Sequence, residues 1–348
     1  MALPSPVDSS VSVPLFYGLM AAVALCWLVP ALVPLRLLNS RLAGPDPELE
    51  GVVKAARSGE WEPAADLLTA AGPDADLRTH YAMRLAYTAA HDGDVWLRTW
   101  QADRPSDPDA VLVSACTRVE QAWKVRGGRA ARFTSQNRFA GFHQELEAAH
   151  EEFRHAAAVL PDDPTPLAGL VRVATGLGWS KDDMGLLWAR ITATSPHHFN
   201  AHVAALQYFC RKWRGSRGEA EKFAAQAAED APRGSLLSLL PLIAWYEHQV
   251  VDTESGGAGF FRMPDVMALV DAALEDVSAA GSHPNLPNAR HLLAYFLVRQ
   301  GRYRAALEQL RQVDGYCGAL PWTYHPWPGL SYRTHRMRAV WGALLTRR

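Results

Sequence analysis

Between Asp8 and Arg36 the chain carries no charged residue, and from Pro14 to Leu35 nearly every position is apolar. A helix rising about 1.5 Å per residue crosses a hydrocarbon core of roughly 30 Å with about 20 such residues. The pattern predicts a short tail over 1–12, a single transmembrane anchor over 13–38 and a linker over 39–47. Pro30 and Pro34 would kink or end the helix near its far side. A signal peptide would open on Lys or Arg, and "MALPSPVDSS" has neither. Arg36 and Arg41 follow the run and no basic residue precedes it. Basic flanks stay on the cytoplasmic side, so the expected location is a cell membrane, crossed once, with the bulk of the chain cytoplasmic.

Beyond residue 47 the period changes to that of amphipathic helices, and one phrase occurs twice. "AARSGEWEPAADLL" (55–68) and "LLAYFLVRQGRYRAALEQL" (292–310) share glycine, one residue, an aromatic, two residues, alanine, and leucine four further on. Gly59 and Gly301 suit the left-handed turn that ends a helix. Trp61 and Tyr303 enter the next helix, Ala64 and Ala306 lie a turn along it, and Leu68 and Leu310 continue the stripe. Each copy predicts a tight helical hairpin whose small residue lets the two helices approach closely. A second mark is proline after a helical pattern, at Pro161, Pro196 and Pro232, spaced by 35 and 36 residues, with Pro105 as an earlier case.

These residues resemble the tetratricopeptide repeat, whose units run to about 34 residues and often end in proline. The resemblance implies an all-α fold: an α-solenoid of stacked hairpins over 48–320, each covering its neighbour's apolar face. The middle of the chain also resembles a bacterial family of unknown function built on such repeats. That likeness rests on "RGGRAARFTSQNRFAGFHQELEAAHEEF", "LPDDPTPLAGL" and "RKWRGSRGEAEKFA"; Arg214 stands where the family has a glycine. It brings a fold and no activity. Residues 321–348 read as an aromatic and proline-rich connector followed by a basic amphipathic helix. Its apolar positions Met337, Val340, Trp341, Leu344 and Leu345 would cover the open end of the stack, leaving the arginines in water or against anionic lipid.

Composition narrows the function classes. A net charge of −1 over 348 residues gives no overall field for nucleic acid, and none is expected as a partner. Cys26, Cys116, Cys210 and Cys317 are far apart and show no metal spacing, so they read as free, buried thiols.

Candidate chemistry is sparse. In "HHFNAH" His198 and His202 take metal-helix spacing, but Phe199 occupies the place of the glutamate a zinc protease needs; they also read as polar residues of a first helical turn. "KVRGGRAARFTSQNRF" sets Lys124, Arg126, Arg129, Arg132 and Arg138 around Phe133 and Phe139, a basic-aromatic surface or a loop paired with the acidic run that follows. Ser216 with Glu219 reads as a helix cap. "DTESGGAGFFRMPD" reads as a glycine-rich insertion exposing Phe260 and Phe261. Arg126, Arg129, Arg132, Phe133, Trp213, Phe260 and Phe261 form the candidate binding surface. No catalytic residue, cofactor or metal ligand is assigned.

The leading expectation is a membrane-anchored, non-enzymatic adaptor for a protein or peptide partner, with a polar concave groove and lipid contact through 13–38. The second is an enzyme or metal-dependent module, its site assembled between repeats around His198, His202 and neighbouring acids.

Overall fold

The computed structural model describes residues 38–127, 135–251 and 259–346, together with Gly18. The anchor segment 13–38 therefore lies outside the described residues except at Gly18 and Leu38, as do Arg129, Arg132 and Phe133. No helix among the described residues is long and apolar enough to cross a membrane.

The described chain is all-α, with fifteen α-helices and no strand beyond one isolated bridge. They follow one another in pairs: α1 (Pro47–Arg57) with α2 (Glu62–Ala71), and α3 (Ala75–Asp92) with α4 (Val95–Asp103). Next come α5 (Pro108–Arg126) with α6 (Gln136–Val159), and α7 (Thr165–Leu177) with α8 (Lys181–Thr194). Then α9 (Phe199–Phe209) joins α10 (Arg217–Glu229), α11 (Leu240–Val251) joins α12 (Pro264–Ala279), and α13 (Leu286–Gln300) joins α14 (Tyr303–Arg311). A last helix, α15 (Pro328–Leu345), closes the series. Neighbours in sequence are neighbours in space. Pro105, Pro161, Pro196 and Pro232 each stand two or three residues beyond the second helix of a pair. The longer interval after Pro105 is taken up by α5 and α6, which at 19 and 24 residues are the longest of the described helices.

Local chemistry starts and stops these helices. Asp46, Asp74, Ser180 and Ser216 accept a backbone N–H of the first turn they precede, satisfying donors that have no partner within the helix. The twin phrases occupy equivalent turns. Gly59 (φ +96°) lies between α1 and α2, and Gly301 (φ +81°, left-handed) between α13 and α14. Ala64, Leu68, Ala306 and Leu310 are buried as expected. Trp61 stacks on Trp100 at 5.6 Å and donates its indole N–H to Asp103 at 3.0 Å; Tyr303 packs against Gly342 of α15, where a Cβ would meet its ring at 2.2 Å.

One buried cation stitches successive pairs. Arg78 of α3 donates to Leu68 O at 3.1 Å, to Asp163 at 2.5 Å and to Asp109. Two apolar cores, one built from α1–α9 and one from α9–α15, meet at Phe209 and Phe223, which pack on both.

The segment read as a linker is docked. Asn39 N donates to Gly315 O, Cys317 N to Asn39 O and Gly318 N to Leu42 O, each at 2.8 Å. The Asn39 side chain accepts from Arg41 N and Leu42 N at 2.9 and 3.0 Å, which turns the strap inward. Buried His291 donates Nε2–H to Ala43 O at 2.7 Å and accepts the indole N–H of Trp322 on Nδ1 at 2.9 Å. The beginning and the end of the stack are thereby held together.

Two expectations change. Trp341, Leu344 and Leu345 do not cover the stack: they are 46%, 48% and 77% exposed, while Tyr332 and Ala339 form the buried face. The reason lies in the elements it packs on: Gly342 lets α15 lie on Tyr303, and Tyr332 and Arg336 are tied to Asp314. Phe261 is not an exposed contact either; it is fully buried against Tyr295 and Phe296, with the Arg299 guanidinium 4.5 Å from its ring centroid. Phe260 packs on Trp245 at 5.5 Å. Aromatic residues beside a glycine-rich stretch found a core here because α13 presents a wall of rings.

At Gly215, in the turn before Ser216, a Cβ would stand 1.9 Å from the Phe209 carbonyl oxygen. Gly215→Ala is expected to destabilise the chain by about 2–3 kcal/mol, because backbone must move; urea unfolding followed by circular dichroism measures it. Burial holds the His291 imidazolium down to about 4, below the ordinary 6.5. The unfolded chain then binds a proton before the folded one does. The contribution is whole above pH 6.5 and fades as the pH falls toward 4, by roughly 3 kcal/mol. Thermal unfolding across that range should show the loss, and His291→Gln should flatten that part of the slope.

Candidate functional site

The first helices of successive pairs face inward and enclose a cavity of about 740 Å³. Its walls come from α3 (Thr79, Met83), α5 (Cys116, Val119, Glu120, Trp123), α7 (Ala168, Gly169, Arg172) and α9 (Asn200, Val203, Ala204, Gln207). The connector after α14 supplies Gly318, Leu320, Thr323 and Tyr324. A second hollow of about 260 Å³ continues it toward the strap, sharing Met83, Asn200, Val203, Gly318 and Leu320. The lining is largely apolar and not the polar groove expected. Polarity is confined to islands. Arg172 and Glu120 pair at 2.7 Å across α7 and α5.

At the rim Glu247 of α11, whose side chain is 1% exposed, gathers three donors. Gln207 Nε2 reaches it at 2.7 Å, Lys212 Nζ at 2.6 Å and Tyr324 OH at 2.5 Å. Burial, and then the Glu247 charge beside it, pushes the Tyr324 phenol up, so it stays a donor. This network ties the connector to α9, α11 and the turn after α9.

Arg126 and Trp213, candidates from the sequence, are brought together beside the cavity. The Arg126 guanidinium lies 5.4 Å from the Trp123 ring centroid, 5.3 Å from Trp213 and 5.9 Å from Phe142, and Trp123 meets Trp213 edge to face at 5.4 Å. Arg126 therefore serves a ring cluster rather than an open phosphate site; burial lowers its pKa. Arg118 takes the acidic run of α6, through Glu145 at 3.3 Å and Glu152. Phe260 and Phe261 do not line the cavity.

No protein-family model matches the chain, and neither a curated protein nor a solved structure does. No family is identified.

Thr79 Oγ1 lies 2.9 Å from His198 Nε2, and His198 Nδ1 lies 3.7 Å from Asp76 Oδ1, an order suggestive of nucleophile, base and acid. The tautomer opposes it. His198 Nδ1 accepts the Ala201 N–H at 3.1 Å as the cap of α9, so the proton sits on Nε2 and is donated to Thr79. No lone pair remains to take a proton from the hydroxyl. Asp76 Oδ1 is occupied by the Phe199 N–H at 3.0 Å. His202 donates Nδ1–H to His198 O at 2.9 Å and packs on Trp188. Burial lowers the pKa of both histidines. Among the described residues no group of three or more His, Cys, Asp or Glu could hold a metal. Cys116 and Cys210 are buried thiols, each pushed by burial up to about 12, which makes them poor nucleophiles.

The sequence reading missed Glu247, Tyr324 and Arg172. Only an acidic residue directly after the apolar "LLPLIAWY" could have signalled the first. Lys212→Met should cost about 3 kcal/mol, because it leaves the Glu247 carboxylate buried without a cation. Glu247→Gln should cost less, since Lys212, 28% exposed, can turn to water. Chemical denaturation of the two variants tests the ordering.

Proposed function

We propose that this is a membrane-anchored, tetratricopeptide-like α-solenoid whose inner cavity receives a short peptide segment of a protein partner, without chemical conversion. The cavity carries the reading: it is formed by the first helices of consecutive pairs, the surface on which stacked repeats hold ligands. Its volume of about 740 Å³ lies in the range of ligand pockets. The twin glycine-aromatic turns and the prolines after second helices support the repeat assignment. Anchorage through 13–38, with the helical part cytoplasmic, rests on the uncharged run and on Arg36 and Arg41. The Thr79–His198 tautomer and the buried thiols favour binding over an enzyme assembled between repeats.

Removing residues 1–37, which spares Asn39 and its strap, should give a mostly helical protein that alkali releases from membranes; a truncated protein that still resists alkaline extraction would remove the anchor. A random peptide library panned on that protein should enrich ligands that Thr323→Trp, at the exposed rim, weakens at least about tenfold. Enriched peptides indifferent to that change, or none at all, would sink the cavity as the binding site.

A further inference from the structure

The outward face of α15 is apolar where a solvated helix should be polar. Trp327, at its N-cap, is 71% exposed; Leu330, Trp341, Leu344 and Leu345 are 46–77% exposed. Positions 330, 337, 341, 344 and 345 fall on one side of the helix. This face cannot roll inward. Tyr332 OH donates to Asp314 at 3.1 Å, Arg336 grips the same carboxylate at 3.0 and 2.5 Å, and Gly342 rests on Tyr303.

Charge and position say what covers it. After Asp314 the sequence contains no Asp or Glu, but holds Arg333, Arg336, Arg338, Arg347 and Arg348. Apolar rings beside long cationic side chains suit the boundary between acyl chains and anionic headgroups, where arginine reaches outward and tryptophan sits at headgroup depth. A second copy of the same face would set arginines against arginines with no carboxylate between them. The face also lies close to where the apolar run joins the fold: Asn39 donates to Gly315 O, one residue from the Asp314 that fixes α15, and Leu38 packs on the same core.

We infer that the Trp327–Leu345 face of α15 is a second membrane contact, lying in the interface of an anionic bilayer beside the anchor. The inference rests on the anchor reading. With it, the helical body is held against the lipid surface in a fixed orientation instead of swinging on a tether.

The test uses the full chain with Cys26→Ser, reconstituted in nanodiscs of phosphatidylcholine alone or with one quarter phosphatidylglycerol. An environment-sensitive fluorophore is attached at Leu330→Cys, at Leu344→Cys or, as a control, at Leu186→Cys on α8, which is 71% exposed. Brominated lipid should quench the first two severalfold more than the control, most strongly in anionic discs. Arg338→Glu should reduce that difference and leave helicity intact. A chain that resists alkaline extraction but shows equal quenching at all three sites overturns the inference and spares the anchor. A chain extracted by alkali overturns both. Energy transfer between copies labelled at Leu344→Cys, without lipid quenching, assigns the face to self-association and also overturns it.

Discussion

Three backbone hydrogen bonds between residues 39–42 and 315–318 join the two ends of this helical stack. A row of helical pairs normally ends in two open faces, each needing its own cover. Here the strap before α1 lies along the connector after α14, and the two supply each other's missing partners. The fit is close. Gly318 approaches Arg41 and Leu42 so nearly that a Cβ would stand 2.7 Å from their backbone, and a Cβ on Gly44 would stand 2.7 Å from the ring of Pro287. His291, kept neutral by burial, sits beneath the joint with both ring nitrogens engaged.

The cavity is a consequence of that closure. Inner helices alone would line an open groove; with the connector drawn across by the strap and by the Glu247 network, the groove becomes a partly enclosed chamber. Arg78, Glu247 and Asp76 are ionisable groups taken from water and surrounded by partners. Their worth lies in the penalty for losing one partner more than in net stabilisation. Such clusters also set which pair stands beside which, since an error in register would leave a buried charge alone. The same logic disarms His198: its Nδ1 lone pair caps α9 and its Nε2–H goes to Thr79, so no lone pair is left for a proton or a metal.

How much of this was legible varied with the range of the cause. Gly59 and Gly301 mark turns because a positive φ is tolerated by glycine alone at little cost. Ala64 and Ala306 mark close helix approach. Proline after the second helix of each pair is equally local. These signals need only their own neighbours, and the structure has helices and turns where they stand. The reading of Phe261 as exposed failed because a glycine-rich neighbour says nothing about the rings waiting on α13, whereas Phe260 is half-buried. The reading of α15 failed similarly. Its heptad-like stripe marks an apolar face, but whether that face turns inward depends on Asp314, Tyr303 and Gly342, which belong to other elements or to the opposite side of the helix.

Sequence alone determined the helical class, the hairpin turns and the uncharged run before residue 38, because propensity, capping and hydrophobic period act within a few residues. Tertiary structure decided which polar groups are used up in packing, where the stack closes, and that α15 shows its tryptophans and leucines outward. Those outcomes join residues as distant as Asn39 and Gly315, or Gln207 and Glu247, and such pairings arise only when the whole chain is folded.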